Sequence, residues 1–307
     1  MNNFHNIIKE ICDKNGIKIN ILSDGWLIIL EKNNKKKFIT GYKFDNNNHA
    51  LGEILDDKYG TYEILKQQNI PVCEYNIVYS PLNTNDYAID HNSLEYVTNL
   101  FNKYNHDIVF KINSGTCGNN VDRITDIETL TNKFLSLKQK SMYSICPFYD
   151  ITNEYRAIIL NGNIELIYKK ELPVVYGNGK ESIKELLIKF NPSYFKNIED
   201  KKLDRILNKN EKYIYNWKFN LSQGARASFE INEKDKENIE KIVNQVFNIG
   251  FCSIDIIKTK DNKYMILEIN SGVMMKNLMD EYGIEIAQKI YEKAILSMFE
   301  EKVWLKK

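Results

Sequence analysis

Asp255, Glu268 and Asn270 are the residues whose types and spacing point most directly to chemistry. They lie in two apolar stretches, Ser253–Ile257 and Tyr264–Asn270, separated by Lys-Thr-Lys-Asp-Asn-Lys. A turn centred between Asp261 and Asn262 folds these stretches into a hairpin and sets Asp255 directly across from Glu268. Directly opposed side chains lie ~5 Å apart on one face of a sheet. Asn270, two residues beyond Glu268, shares that face. Facing carboxylates repel unless positive charge lies between them. Mg²⁺ suits such a set: it takes few carboxylates, keeps waters and completes its octahedron with phosphate oxygens. The Asn270 amide adds a neutral oxygen. A polar solvent face is the plainer reading of the same hairpin, but these acids interrupt otherwise apolar strands, which favours a functional role.

A second group reads as a phosphate cradle. Lys111 closes the apolar run Ile108–Ile112, and Ser114-Gly115-Thr116-Cys117-Gly118-Asn119-Asn120 follows Asn113. The lysine precedes the glycines, the reverse of a G-x-x-x-x-G-K-[ST] loop, and the spacing does not match G-x-G-x-x-G. A loop of small residues can still turn its N–H groups toward an anion, with Lys111 as a point charge beside it. An ordinary β-turn is the alternative. The glycines and asparagines tolerate unusual φ values, and Cys117 alone is apolar. The loop at 114–120 is therefore expected to be a lid ordered by its ligand. No histidine accompanies Cys117, and His5, His49, His91 and His106 lie outside these motifs, so nucleophilic catalysis is not the expectation.

The elements that must position these residues mix both periodicities. Apolar Phe4, Ile7, Ile8 and Ile11 predict a helix over 4–14, ended at Asn15-Gly16. Short strands are predicted at 17–22, 26–31 and 37–40. A helix at 57–68 capped by Asp57 and a strand at 72–79 come next, then a turn and helix within 81–106. Further along come a strand at 108–112, a helix at 126–139, a strand at 142–148, and a hairpin of 154–160 with 163–168 through Asn161-Gly162. Helices at 181–191, 233–249 and about 280–300, strands at 252–258 and 263–269, and a polar, mobile excursion over 192–216 complete the pattern. The mixture is α+β.

At 307 residues the chain is long enough for about two or three subdomains. Its 42 Lys and Arg balance 41 Asp and Glu, so no global field steers it to nucleic acid or a membrane. No apolar run reaches the ~18 residues of a membrane span. The start of the chain does not read as a signal peptide. Five scattered cysteines without a C-x-x-C pair fit reduced thiols and a cytoplasmic setting.

Taken in order, these pieces resemble the ATP-grasp superfamily, and in particular the ATP-grasp portions of cyanophycin synthetase and bifunctional glutathione synthetase. The resemblance runs from about residue 16 to 278. Asp57-Lys58-Tyr59 through Asn69-Ile70-Pro71-Val72 is similar to the entry segment, where a lysine opens a helix before a GIPVP-like strand. Lys111 and Gly115-x-x-Gly118-x-x-Val121 resemble the family lysine and glycine loop. Cys146-Pro147-Phe148 falls at the adenine hinge, and Glu154-Tyr155-Arg156 at the EYR or DYR run. Pro173–Ile183 resembles PA-V-GDGKSTI, Asn220–Gly224 resembles NLSTGG, and Asp255, Glu268 and Asn270 fall at the metal positions. Three departures stand out. Ile112 follows Lys111 where the family has proline, Cys146 replaces an acidic hinge residue, and Ser271–Met275 replaces a Pro-Gly loop where the acceptor binds.

The resemblance implies an ATP-grasp fold with the nucleotide between two α+β subdomains. It divides the chain into a pre-ATP-grasp region (1–85), a central subdomain with the lid (86–152) and a C-terminal subdomain with the metal site (153–307). It implies a carboxylate–amine ligase that makes an amide through an acyl-phosphate and releases ADP and phosphate. ATP and one or two Mg²⁺, or Mn²⁺, are the implied cofactors. Lys58, Lys111, Gly115, Thr116, Cys117 and Gly118 are implied to hold phosphates, Cys146, Pro147 and Phe148 adenine, and Glu154 ribose. Arg156 and Lys170, or Lys169 in its place, are implied to face the reacting phosphate. Arg226 is implied to grip a substrate carboxylate, with a plain surface arginine as the alternative. Implied partners are small carboxylates and amines of the amino-acid or short-peptide class, with a homo-oligomer left open. A macrocyclising, peptide-tailoring ligase and a non-catalytic nucleotide-binding protein are the alternatives.

Overall fold

The computed structural model describes residues 3–115, 120–190 and 201–300, and divides into two compact units. The first comprises the chain to Ile167 and from Asn232 onward; the second is Tyr168–Ile231.

The first unit opens with α1 (Asn3–Lys14), whose Phe4, Ile7, Ile8, Ile11 and Cys12 are buried at helical spacing. The strands β1 (Lys18–Leu22), β2 (Leu27–Lys32), β3 (Lys35–Thr40) and β4 (Lys43–Phe44) form an antiparallel sheet in that order. Two short helices follow, α2 (His49–Asp56) and α3 (Lys58–Gln67). The Asp57 carboxylate accepts from the Gly60 N–H at the start of α3, so the predicted cap forms.

The predicted strand at 72–79 divides between two sheets. Pro71–Cys73 runs along Ile266, with Ile266 N donating to Pro71 O and Cys73 N to Ile266 O. Only β5 (Asn76–Tyr79) enters the second sheet. That sheet has the order β5-β8-β6-β7, with β6 (Ile108–Ile112), β7 (Val121–Ile124) and β8 (Met142–Pro147). The helices α4 (Leu94–Lys103) and α5 (Ile127–Leu135), capped by Ser93 and Asp126, bury Val97, Leu100, Phe101, Leu130 and Phe134 against Phe110 and Ile145.

The third sheet has five strands and is built around two hairpins. β9 (Ile151–Leu160) turns into β10 (Asn163–Glu171) through Asn161 and Gly162, both at positive φ (50° and 78°), as the dipeptide predicts. β9 also pairs antiparallel with β14 (Phe251–Thr259), and β14 with β15 (Tyr264–Asn270). The helix α7 (Glu233–Val243) precedes this hairpin. After it, the predicted helix at 280–300 is instead two helices, α8 (Lys276–Tyr282) and α9 (Glu285–Phe299). Gly283, at φ 91°, breaks them.

The second unit packs Val175, Ile183, Leu187, Leu203 and Leu207 together. It contains the end of β10, β11 (Val174–Tyr176), α6 (Ile183–Phe190), β12 (Lys212–Ile214) and β13 (Arg226–Ser228). The predicted polar excursion at 192–216 is not irregular throughout its described part, 201–216. Leu203, Leu207 and Tyr213 anchor its second half to this core, and β12 pairs with β11; residues 191–200 lie outside the described residues.

Candidate active site

The third sheet carries the acidic residues. β14 sets Asp255 between Arg156 of β9 and Glu268 of β15, in register on both sides. Ser253 faces Asn270 one pleat away, and Asn270 Nδ2 lies 3.3 Å from Glu268 Oε1. The predicted pairing of Asp255 with Glu268 is present, but by a different route. The turn closes on Thr259 and Lys263, with Asn262 left-handed at φ 57°, one half-residue earlier than predicted. Ile256 pairs with Ile266 and Asp255 with Glu268, so Leu267 is an extra residue in β15. This bulge restores the register at the acids.

Positive side chains hold both carboxylates. Arg156 donates through Nε and Nη2 to the two oxygens of buried Asp255, at 2.6 and 2.7 Å. Lys58 Nζ lies 3.4 Å from Glu268 Oε2. The same ammonium donates to Gly115 O at 2.8 Å and to Asn113 O at 3.3 Å. Lys58 thus joins the start of the glycine loop at Gly115 to the β14–β15 hairpin. Asn113 secures that junction. It is fully buried, donates from Nδ2 to Asp57 Oδ1 at 2.7 Å and accepts from Tyr59 N at 3.1 Å.

Lys111, also buried, reaches the same hairpin through Tyr75. Its Nζ donates to the Tyr75 hydroxyl at 2.7 Å and sits 4.5 Å from that ring's centre. The Tyr75 hydroxyl donates onward to Leu267 O at 2.9 Å, the carbonyl of the bulge residue. Burial holds the Tyr75 phenol well above its usual range. Thr116, Cys117 and Gly118 lie outside the described residues, as does most of the predicted lid.

Cys146 sits opposite Val109 and packs with Tyr62, Cys73, Tyr75 and Ile257. Burial raises its thiol above the usual range, against a lowering pull from Lys111 and Lys58. Pro147 ends β8, and Arg123 covers the Phe148 ring at 3.5 Å while its guanidinium grips Asp107 through two bonds. Glu154 is buried on β9 opposite Ile257, on the face that carries Arg156 and Asp255.

Beyond Asn270, Ser271 donates from both N and Oγ to Asp56 Oδ1, at 3.0 and 2.9 Å. Lys43 closes the group by pairing with Asp56. Consecutive residues Asp56, Asp57 and Lys58 therefore tie down Ser271 beyond β15, the entry to the glycine loop and Glu268.

In the second unit, Lys170 is buried opposite Ala227, whereas Lys169 pairs with Glu171 at 3.7 Å. Arg226 is exposed on β13, its guanidinium 5.7 Å from the Phe190 ring. The two family-like stretches here have local structural reasons. Asn220 Oδ1 caps the turn at Ser222 N, and Gly224 ends it at φ 99°. Asn178 Oδ1 accepts from Lys180 N and Glu181 N, while a Cβ on Gly177 would meet Asn208 O at 2.1 Å.

Compared over its length, this architecture has a solved counterpart. It aligns over 95% of the chain, with a TM-score of 0.55 and 15% identity, to the bifunctional glutathione synthetase of Pasteurella multocida. A RimK-like ATP-grasp domain model matches residues 209–294. The chain carries an ATP-grasp fold. A curated relative, the glutamate–LysW ligase of Sulfurisphaera tokodaii, is 35% identical over 77 residues. The D-alanine–D-alanine ligase of Bacillus anthracis aligns over 80% of the chain and 69% of its own, at 15% identity and a TM-score of 0.48. The chain's match covers 27% of the length of the glutamate–LysW ligase and 43% of the glutathione synthetase.

The donors on this hairpin fit the divalent ion that the fold implies. Two opposed carboxylates and an amide are hard oxygen ligands of the Mg²⁺ class. Among the described residues, no group of three or more His, Cys, Asp and Glu could hold a metal by itself. A site completed by phosphate oxygens needs no such group. Sequence reasoning missed the Arg156–Asp255 pair, Tyr75, Asn113 and Asp57's second role. Those depend on contacts between distant segments that no local pattern encodes.

Proposed function

We propose that the chain is an ATP-dependent carboxylate–amine ligase acting on substrates of the amino-acid or short-peptide class. The observation that carries this reading is the row Arg156–Asp255–Glu268, in register across three strands, with Lys58 against its far end. Such a row offers oxygens and positive charge to a polyphosphate on one face of a sheet.

In this reading, Lys58 and Lys111 bind the nucleotide phosphates, and adenine lies against Cys146–Phe148 with Glu154 on the ribose. Asp255, Glu268 and Asn270 would hold Mg²⁺, which supplies charge neutralisation for the phosphates. A substrate carboxylate oxygen attacks the γ-phosphorus, the bond to the ADP oxygen breaks, and an acyl-phosphate results. An amine then attacks the acyl carbon, loses a proton and expels phosphate. Arg156 and Lys170 stabilise charge on the transferring group, and Arg226 grips the carboxylate end of a substrate. The protein contributes position and electrostatics more than bond-making groups. The segments 1–85, 86–152 and 153–307 serve as entry region, lid-bearing subdomain and metal-bearing subdomain.

The test is phosphate and ADP release from ATP and Mg²⁺ across a matrix of amino acids and dipeptides. Release that requires both an acid and an amine is expected. AMP and pyrophosphate as products would overturn the acyl-phosphate route.

A further inference from the structure

We infer that Lys58 is a stand-in cation for Glu268 and blocks metal binding there until a nucleotide arrives. The inference rests on the metal reading of Asp255, Glu268 and Asn270. Lys58 is buried, and its ammonium faces the carbonyls of Gly115 and Asn113 and the carboxylate of Glu268. Three acceptors match the three donors an ammonium carries.

The position is disfavoured by the helix itself. Lys58 is the first residue of α3, where the positive end of the helix dipole repels a cation. Its placement is instead imposed from outside. Asp57 caps the helix, and Asn113 binds Asp57 and the Tyr59 N–H. That clamp fixes the backbone of Lys58 and aims its side chain between the loop mouth and Glu268. Arg156 covers Asp255 in the same way. In this state the two facing carboxylates, Asp255 and Glu268, are each held by one of the protein's own cations.

Phosphate oxygens are stronger acceptors for an ammonium than loop carbonyls. When they arrive beside the glycine loop, Lys58 exchanges Asn113 O, Gly115 O and Glu268 for phosphate. Glu268 is then uncovered as the nucleotide brings its metal. The metal loads with the nucleotide, and a free divalent ion competes poorly for the hairpin.

The test measures Mn²⁺ binding by the full chain without nucleotide, from the free-ion electron paramagnetic resonance signal. Wild type should bind weakly. Lys58→Met should bind about tenfold tighter, since it takes a buried positive charge away from the Glu268 carboxylate. Lys58→Gln, which keeps hydrogen bonds to the carbonyls without charge, should behave like Lys58→Met and serves if the methionine variant does not fold. Lys58→Arg, which keeps the charge, should stay near wild type. Adding Glu268→Gln to Lys58→Met should abolish the gain. Mn²⁺ affinity unchanged or weaker in the folded neutral variants overturns the block. If Glu268→Gln still removes Mn²⁺ bound with ADP in that case, the metal reading stands alone. A gain that survives Glu268→Gln overturns the metal assignment, and the block with it.

Discussion

Arg156 and Asp255 meet across β9 and β14 through two parallel hydrogen bonds of 2.6 and 2.7 Å. The fork geometry of a guanidinium on a carboxylate fixes both side chains. Asp255 is buried and Arg156 largely so, which makes the pair expensive to break from one side. Asp255→Asn keeps the shape but removes the charge and one acceptor. Thermal melts should show a loss of about 2 kcal/mol, and turnover in the proposed ligase reaction should fall about a hundredfold or more. Full turnover with the expected destabilisation would assign the pair to structure alone.

Tyr75 should matter to nucleotide binding although it carries no charge. Its hydroxyl accepts from Lys111 and donates to the Leu267 carbonyl, linking the glycine-loop strand to the bulge beside Glu268. Tyr75→Phe retains the ring under the ammonium and deletes both hydrogen bonds. KM for ATP is expected to rise about tenfold, with about 1 kcal/mol lost from stability. Steady-state kinetics with ATP varied against saturating acid and amine checks this. An unchanged KM would show that Lys111 is positioned without the hydroxyl.

Asn262 holds the turn of the β14–β15 hairpin in a left-handed conformation at φ 57°. Asparagine and glycine adopt this region readily and β-branched residues do not. Asn262→Val should lower stability by about 1 to 2 kcal/mol, while Asn262→Gly should leave the melt near wild type. Turnover measured well below the melting temperature should survive in both, because the Leu267 bulge sets the register at the acids separately from the turn. Loss of turnover in folded Asn262→Val would mean that the turn, and not the bulge, aligns Asp255 with Glu268.

Much of the site was legible because it is local. A hairpin can be read from two apolar runs and a turn, and the Asp57 cap and the Asn161-Gly162 turn announce themselves over a few residues. What escaped was non-local. Nothing near Val72 says that the chain leaves β15's side before Asn76 and changes sheets. Nothing near Arg156 names Asp255 as its partner. The Asp255–Glu268 pairing also shows a cancellation. The predicted turn was displaced by half a residue, and a bulge invisible to alternation supplied the compensating shift. Gly283 was in plain view inside the last predicted helix, and its break follows from the left-handed φ it adopts.

Asp235 supplies a test on the opposite face of the same sheet. It is buried, and it accepts hydrogen bonds from the Tyr155 hydroxyl, from Tyr264 at 2.5 Å and from Lys258 at 2.9 Å. These tie α7 to β9, β14 and β15, behind the strands that carry Arg156, Asp255 and Glu268. Burial by itself would raise its pKa, but the three donors outweigh burial and hold the carboxyl at about 2, against an ordinary 3.8. A depressed folded pKa means stability that is fully present above the unfolded value and lost on acidification. This group therefore contributes about 2 kcal/mol near neutrality, lost as pH falls from about 4 to about 2. Asp235→Asn lacks that titration. Urea melts at a series of pH values should show wild type losing stability more steeply than the variant across this window. The variant should also be less stable at neutral pH. Parallel pH profiles for the two proteins would show that the Tyr155–Asp235–Tyr264–Lys258 cluster does not hold the carboxylate in its charged form.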